Sequence, residues 1–294
     1  MLYISHVRAT VRLIACMAWF AVLIPVQAVN LALGRKFARK WPITVYRVFN
    51  RLLGIGLKVA GKPVKKGPVL YVVNHTSYAD IPVLGALLEA CFVAKAEVAG
   101  WPLFGLCAKI SGTVFVDRNP RLAVRQSELL KQRLTAGDSL VLFPEGTSSD
   151  GNFVLPFRSA LFSAAAIRVG DKPVVVQPVS VAYTHLDGIP MGRHLRPFFA
   201  WYGDMEMAGH LWQLLGIGRS RVEVRFHDPV NIDRFASRKD LSAWCHAVIA
   251  AGVARSLTGR DQPVGVGLPP PAVLADAGEA PPPAGPDRAG KAAA

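Results

Sequence analysis

Residues 74–80, Asn-His-Thr-Ser-Tyr-Ala-Asp, have the composition of a general-base site. They follow the apolar run Val-Leu-Tyr-Val-Val, which is typical of a buried strand. Asp80 is placed to accept a hydrogen bond from one ring nitrogen of His75, which would fix the tautomer and leave the other nitrogen to take a proton. The alternative is a capping loop in which the histidine satisfies only backbone groups, and this segment alone does not decide between them.

Two later segments place cations and glycines at strand ends. Residues 112–118, Gly-Thr-Val-Phe-Val-Asp-Arg, end in Arg118, whose planar guanidinium suits phosphate or carboxylate, although a surface ion pair is the usual role of such an arginine. In residues 143–151, Phe-Pro-Glu-Gly-Thr-Ser-Ser-Asp-Gly, a glycine lets backbone amides approach a ligand closely. With the hydroxyl of Thr147 and the cation of Arg158, this turn is suited to an anionic head group.

A proline inside the apolar run 174–181 is unusual for a central strand. Pro178 removes a backbone donor, so it indicates a sheet edge, a strand end or a bulge.

Taken together and in this order, the four segments resemble the glycerolipid acyltransferase superfamily, specifically its lysophosphatidic acid acyltransferase (PlsC-like) branch. The family blocks N-H-x-x-x-x-D, G-x-x-F-x-x-R, F-P-E-G-T and a proline within an apolar strand all occur between about residues 50 and 230. The matching residues are Asn74, His75 and Asp80; Gly112, Phe115 and Arg118; Phe143, Pro144, Glu145, Gly146 and Thr147; and Pro178.

The resemblance implies transfer of a fatty acyl group from acyl carrier protein or coenzyme A thioester to the free hydroxyl of a lysolipid. His75 is then the catalytic base and Asp80 orients it. Neither a metal nor another cofactor is expected, because the thioester is already activated. The residues expected to bind the acceptor head group are Arg118, Glu145, Gly146 and Thr147, with Lys95 and Arg158 as further cations.

One departure from the family pattern concerns the acceptor. The third block usually continues with arginine, whereas this chain has Ser148. The first expectation remains 1-acyl-sn-glycerol-3-phosphate, giving phosphatidic acid. The alternative is a lyso-ornithine lipid O-acyltransferase, whose acceptor carries an amino-acid head group in place of a phosphate.

Short apolar runs alternate with helical stretches after residue 68, which predicts an α/β fold with a mixed, largely parallel sheet flanked by helices, as in glycerol-3-phosphate acyltransferases. The predicted strands are 69–73, 113–116, 139–143, 174–181 and 222–226. The predicted helices are 81–90, 122–136, 159–169 and 234–257.

The first part of the chain predicts a membrane-anchoring helix. Residues 13–33 carry no charge, and about 20 apolar residues suffice to cross a bilayer. Basic residues are in excess after this stretch, which places the remainder on the cytoplasmic side of the inner membrane. They are Arg35, Lys36, Arg39 and Lys40. An interfacial helix and a cleaved signal peptide are the alternatives.

The predicted organisation has three parts: an anchoring segment at 1–60, a catalytic domain at 61–260 and a disordered Ala/Pro-rich tail at 261–294. An amphipathic stretch at 46–59 is either a surface helix on the membrane or an ordinary core helix.

The charge balance points to an anionic partner. Lys plus Arg number 34 against 20 Asp plus Glu, a formal net charge of +14. The expected partners are an anionic membrane surface and an acidic acyl carrier protein. Nucleic acid is not expected, because no recognised binding motif accompanies the dispersed charge. A nucleic-acid binder or a non-catalytic membrane scaffold is a remote alternative.

The remaining histidines and the cysteines predict no metal site. None of the other six histidines has metal-ligand spacing to another, so they are expected to be solvated or core residues. They are His6, His185, His194, His210, His227 and His246. The four scattered cysteines fit a reducing compartment. The aromatic run at 198–202 is either ordinary packing or a contact with membrane or acyl chain.

Overall fold

The fold is that of a computed structural model, which describes residues 4–32, 41–101, 104–116 and 123–261. The helices of this part are α1 (His6–Ala32), α2 (Trp41–Leu53), α3 (Asp80–Gly85), α4 (Phe104–Ile110), α5 (Ala123–Thr135), α6 (Met207–Gly216) and α7 (Arg238–Thr258). The strands are β1 (Ile55–Ala60), β2 (Val69–Val73), β3 (Ala90–Lys95), β4 (Val114–Val116), β5 (Ser139–Leu142), β6 (Arg168–Val169), β7 (Lys172–Pro173), β8 (Val175–Leu186), β9 (Ile189–Pro190) and β10 (Ser220–Phe226).

The central sheet has the order β1-β10-β8-β2-β5-β3-β4. Along this path every neighbouring pair is parallel except β10 with β8. The short strand β9 pairs with β8, and β6 and β7 form a separate hairpin. Because β2, β5, β3 and β4 run in one direction, the loops that follow them emerge at one edge of the sheet. Active sites of open α/β sheets form at this edge.

Both faces of the sheet are covered. Along β2, Val69, Tyr71 and Val73 contribute to one hydrophobic cluster, which also contains residues of α3 and α6. Leu70 and Val72 contribute to the other, which contains residues of α5 and α7. This alternation explains why β2 reads as a continuous apolar run, since a strand buried on both faces has no polar side.

Helix α1 covers 27 residues and has Pro25 inside it. Residues His6–Asn30 are long and apolar enough to cross a membrane. Large apolar side chains are exposed along much of its length, namely Val7, Val11, Ile14, Met17, Val22, Ile24, Val26 and Val29. These features and the N-terminal position agree with membrane association.

The first turns of α1 are attached to α6. The guanidinium of Arg12 donates to the carbonyl oxygens of Leu215 (3.1 Å) and Ile217 (2.7 Å) at the end of that helix. The backbone N–H of Ser5 donates to Gly216 O (3.2 Å). The apolar helix is therefore joined to the α/β part of the chain by polar contacts as well as by packing.

The predicted strands are all present, and several other boundaries differ. Strand β3 was not predicted, and its first residue lies in the predicted helix 81–90, of which only α3 forms. Residues 159–169 form a 3-10 helix at Ser159–Ala166 and then enter β6. The predicted amphipathic stretch 46–59 forms the end of α2 and, after it, strand β1, which pairs with β10 along its whole length. Residues 55–60, which the sequence placed in the anchoring segment, thus belong to the central sheet.

Pro178 lies in β8, next to β2 in the middle of the sheet, where it is aligned with Val72. On the other side of β8 the ladder is irregular at this point. Phe226 is aligned with Val179, whereas the next bridge joins Val176 to Val230. Pro178 uses its carbonyl to accept the backbone N–H of His227 (3.0 Å). A proline is tolerated here because the ladder is already interrupted.

Candidate active site

The loop after β2 brings His75 and Asp80 together. His75 Nδ1 lies 2.9 Å from Asp80 Oδ2. Asp80 is fully buried in the first turn of α3, while the His75 side chain is 23% exposed. The described residues supply no hydrogen-bond partner for His75 Nε2. This arrangement orients the ring and leaves one nitrogen to accept a proton.

The buried carboxylate of Asp80 is stabilised by several donors. The backbone N–H groups of Thr76 (2.7 Å) and Ser77 (3.0 Å) donate to Oδ2, and the hydroxyl of Tyr183 donates to Oδ1 (3.0 Å). Burying a charge requires such partners. Burial and the neighbouring Asp80 raise the pKa of Tyr183 well above its usual range, so Tyr183 stays a donor.

The turn after β5 lies against the same loop, because β5 is the neighbour of β2. The ring of Phe143 stacks on His75 with centroids 4.2 Å apart. Glu145 accepts the backbone N–H of His75 on Oε1 (2.7 Å) and that of Leu155 on Oε2 (2.9 Å). The imidazole is thus fixed by a ring on one side and through its own backbone by a carboxylate.

Glu145 was expected to contact the acceptor, and its position argues against that role. Glu145 is 2% exposed, and both of its carboxyl oxygens already accept backbone hydrogen bonds inside the protein. Burial raises the pKa of Glu145 to about 8, against the opposing effect of these two N–H groups. In this arrangement Glu145 joins the loop after β2, through His75, to the segment after β5, through Leu155.

The remaining motif residues differ in how far they are buried. Asn74 is buried and exchanges two hydrogen bonds with the backbone of Val181, which joins the loop to β8. Gly146 has φ +69°, and a Cβ there would lie 3.1 Å from Arg158 Nε. Thr147 and Arg158 are exposed, as a residue that meets a ligand must be.

Of the second family block, residues 112–118, the structure describes only residues 112–116. Gly112 has φ +76° and is buried in the turn before β4, and Phe115 lies within β4. Lys95 ends β3 at the same edge of the sheet, aligned with Val116. Arg118 lies outside the described residues, as do Arg35, Lys36, Arg39, Lys40 and the tail from residue 262.

Residues outside the motifs also contact the loop at 74–79 and Asp80, and two of them, Tyr183 and Trp201, were not expected there from the sequence. Tyr183 donates to Asp80, and the backbone N–H of Trp201 donates to the carbonyl of Thr76 (3.0 Å). The hydroxyl of Ser148 in turn donates to the carbonyl of Trp201. A tyrosine hydroxyl in a strand that is buried along most of its length was a usable signal for Tyr183. A backbone contact such as that of Trp201 leaves no trace in the sequence.

Comparisons with known proteins show which family the chain is related to. Residues 56–182 match the family model described as Acyltransferase. A lyso-ornithine lipid O-acyltransferase of Brucella abortus is 43% identical over 264 residues, which cover 88% of this chain and 99% of that protein. A 1-acyl-sn-glycerol-3-phosphate acyltransferase of Neisseria gonorrhoeae is 32% identical over 205 residues, covering 67% of this chain and 76% of that protein.

A solved structure has the same fold. It is the crystal structure of the 1-acyl-sn-glycerophosphate acyltransferase PlsC from Thermotoga maritima, with a TM-score of 0.57 and 24% identity. The match covers 84% of this chain and 97% of that chain. The predicted fold class, a mixed and largely parallel α/β sheet preceded by an apolar helix, is confirmed. The predicted family resemblance is confirmed by the sequence relatives.

Proposed function

Because this chain belongs to the acyltransferase family, we propose that it transfers a fatty acyl group from an acyl thioester to the free hydroxyl of lyso-ornithine lipid. The chain is an acyltransferase of the kind that acylates lysolipids. The observation that carries the proposed reaction is the His75–Asp80 pair with its partly exposed imidazole. The acceptor, the donor and the role of each site residue are the proposed part.

In the proposed mechanism the acceptor oxygen attacks the thioester carbonyl carbon while Nε2 of His75 takes the hydroxyl proton. The C–O bond forms, the C–S bond breaks, and His75 returns the proton to the leaving thiolate. Asp80 holds Nδ1 and stabilises the charged ring. No covalent intermediate with the protein is needed, and the products are an ester and a free thiol.

The choice of acceptor is supported by the relatives and by Ser148. Identity is higher to the lyso-ornithine lipid enzyme than to the 1-acyl-sn-glycerol-3-phosphate enzyme. At the position where the latter class usually has arginine, this chain has Ser148, whose hydroxyl is bonded to the backbone of Trp201. A serine engaged in this way offers no cation to a phosphate. We therefore favour lyso-ornithine lipid, the second of the two acceptors expected from the sequence.

The deciding experiment offers both acceptors to the purified full-length enzyme. Lyso-ornithine lipid and lysophosphatidate are supplied side by side, each with labelled acyl carrier protein thioester and with acyl coenzyme A. Faster turnover of lyso-ornithine lipid supports the proposed acceptor. Preference for lysophosphatidate would replace it with the phosphate lipid, and the two donors identify the carrier in the same assay.

Replacing His75 with alanine tests the chemistry. We expect His75→Ala to lower kcat by about 10²–10⁴-fold, because general-base catalysis contributes that much. The matched control is His194→Ala, which removes an exposed histidine outside the site. Turnover is measured together with thermal unfolding. If His75→Ala retains the rate of the control, the proposed role of His75 is wrong.

We further propose that the catalytic part lies on the cytoplasmic side of the inner membrane. The support is the basic excess after the apolar helix. We expect replacement of Arg35, Lys36, Arg39 and Lys40 by glutamine to weaken binding to anionic vesicles, since each basic residue near such a surface contributes about 1 kcal/mol. Co-sedimentation at rising salt measures this. Binding that is the same in both proteins at every salt concentration would contradict it.

A further inference from the structure

A largely buried tyrosine–histidine pair connects the loop between His75 and Asp80 to helix α6. Tyr78 lies between His75 and Asp80 in sequence, and its hydroxyl is 2.9 Å from Nδ1 of His210. The two rings meet edge to face with centroids 5.4 Å apart. His210 is 4% exposed and lies in α6. This hydrogen bond holds the loop against α6, because separating the two side chains would leave the hydroxyl and the ring nitrogen without a partner.

Trp201, next to this pair, makes a second contact with the same loop. The ring of Trp201 approaches Tyr78 edge-on at 6.0 Å, and its backbone N–H donates to the carbonyl of Thr76 (3.0 Å). Burial lowers the pKa of His210, and the backbone groups of Phe198 and Ala200 oppose that shift. The buried Nε2 of His210 makes no hydrogen bond within the described residues, so the contact with Tyr78 is the hydrogen bond that holds this ring.

These contacts act on the part of the loop that must be correctly placed. Thr76, Tyr78 and the intervening Ser77 lie between the catalytic histidine and its carboxylate. A shift in this stretch changes the distance between His75 Nδ1 and Asp80 Oδ2. Small displacements of catalytic groups reduce the rate strongly, even when binding is intact.

We infer that His210 is a positioning residue for acyl transfer, acting through Tyr78 to hold the loop that carries His75 and Asp80. The inference rests on the proposed chemistry at His75 but not on which lysolipid is the acceptor. It gives a role to a histidine that the sequence indicated only as a solvated or core residue. It also gives a positioning role to Trp201, which belongs to the aromatic run 198–202.

The test compares Tyr78→Phe, His210→Leu and the double variant with the wild type, using the full-length protein in mixed micelles. We expect each single variant to lower kcat by about 10- to 100-fold while the KM of the acceptor is unchanged. The double variant should lose no more than the worse single variant, because both remove the same link. His210→Asn, which keeps a hydrogen-bonding group near Nδ1, should restore part of the rate.

A matched control separates positioning from stability. Tyr71→Phe also removes a buried tyrosine hydroxyl from the β2 region, one that donates to Val64 O (2.7 Å) away from the loop. It should lower the melting temperature without the loss of kcat. If Tyr71→Phe and Tyr78→Phe reduce kcat equally, or if the losses in the double variant add, the inference is wrong. Tyr78→Phe keeps the ring contacts, so it carries the test if His210→Leu does not fold.

The readouts distinguish this inference from the proposed function. Hydrolysis of the acyl thioester without acceptor uses water in place of the lipid hydroxyl, and its dependence on His75 is established with His75→Ala. If lyso-ornithine lipid is not acylated but His75-dependent hydrolysis persists, the proposed acceptor fails and the His210 variants are still compared by hydrolysis. Hydrolysis unaffected by Tyr78→Phe and His210→Leu would overturn the positioning role alone.

Discussion

Two buried carboxylates, Asp80 and Glu145, lie within one network around His75 and differ in their partners. Asp80 has the His75 ring, two backbone N–H groups and a tyrosine hydroxyl as donors. Glu145 has two backbone N–H groups and no side-chain donor among the described residues. This difference gives Glu145 a measurable influence on the pH dependence of stability.

Glu145 is expected to make folding less favourable as the pH rises. Its pKa is about 8 in the folded state against an ordinary value of 4.5, so between these two values the folded state binds more protons than the unfolded state. The stability that it contributes is therefore complete below pH 4.5 and is lost as the pH rises to about 8. Glu145→Gln should flatten this part of the curve of melting temperature against pH.

Glu223 is the natural comparison, because its shift has the opposite sign. The side chains of Lys58, Ser256 and Arg225 outweigh burial and lower its pKa. Its contribution is present above the ordinary pKa and is lost on acidification, so Glu223→Gln should change only the acidic limb. If Glu145→Gln leaves the slope between pH 4.5 and 8 unchanged, the carboxyl of Glu145 does not hold its proton into that range.

At the scale of elements, the turn after β5 depends on a glycine. Gly146 adopts φ +69°, a left-handed conformation that costs a non-glycine residue roughly 1–2 kcal/mol. A Cβ there would also press on Arg158 at 3.1 Å. Gly137, after α5, has φ +88° and open space around it, so Gly137→Ala has the same backbone strain without the contact.

This pair isolates the effect on Arg158. We expect Gly146→Ala and Gly137→Ala to lower the melting temperature to a similar degree, while only Gly146→Ala raises the KM of the acceptor by moving the Arg158 side chain. Steady-state kinetics with varied acceptor measure the difference. Equal KM values in the two variants would show that the placement of Arg158 against the turn has no part in acceptor binding.

The elements also show where sequence reasoning succeeds. Strand β2 was predicted with its observed boundaries because it is buried on both faces and has a simple apolar pattern. The pairing of His75 with Asp80 was predicted because the contact is local in the chain. The supports from Tyr183, Trp201 and His210 were not, because they depend on how distant segments pack. Strand β3 was missed because the residues before it have a helical pattern.

At the scale of the whole molecule, α1 is attached to the α/β part of the chain through α6. Arg12 donates to two carbonyl groups at the end of α6, and these groups have no partner inside their own helix. The guanidinium also lies against Gly54, where a Cβ would be 2.1 Å from it. The attachment is thus specific to this side chain.

We expect Arg12→Ala to destabilise the protein by about 1.5–3 kcal/mol, the range for a hydrogen bond to a charged group. Arg8→Ala, which removes an exposed arginine from the same helix, is the control for charge alone. Unfolding midpoints of both variants in one detergent give the comparison. Equal midpoints would mean that the contacts of Arg12 with α6 do not contribute to stability.

The hydroxyl of Tyr183 reaches Asp80 across 103 positions of the chain. A polypeptide growing on the ribosome carries His75 and Asp80 well before that tyrosine is synthesised. Asp80 therefore lacks the hydrogen bond from Tyr183 until β8 has been translated and has paired with β2. A truncated product that ends before β8 would contain the first three recognisable blocks of the family and still lack the hydroxyl that donates to Asp80.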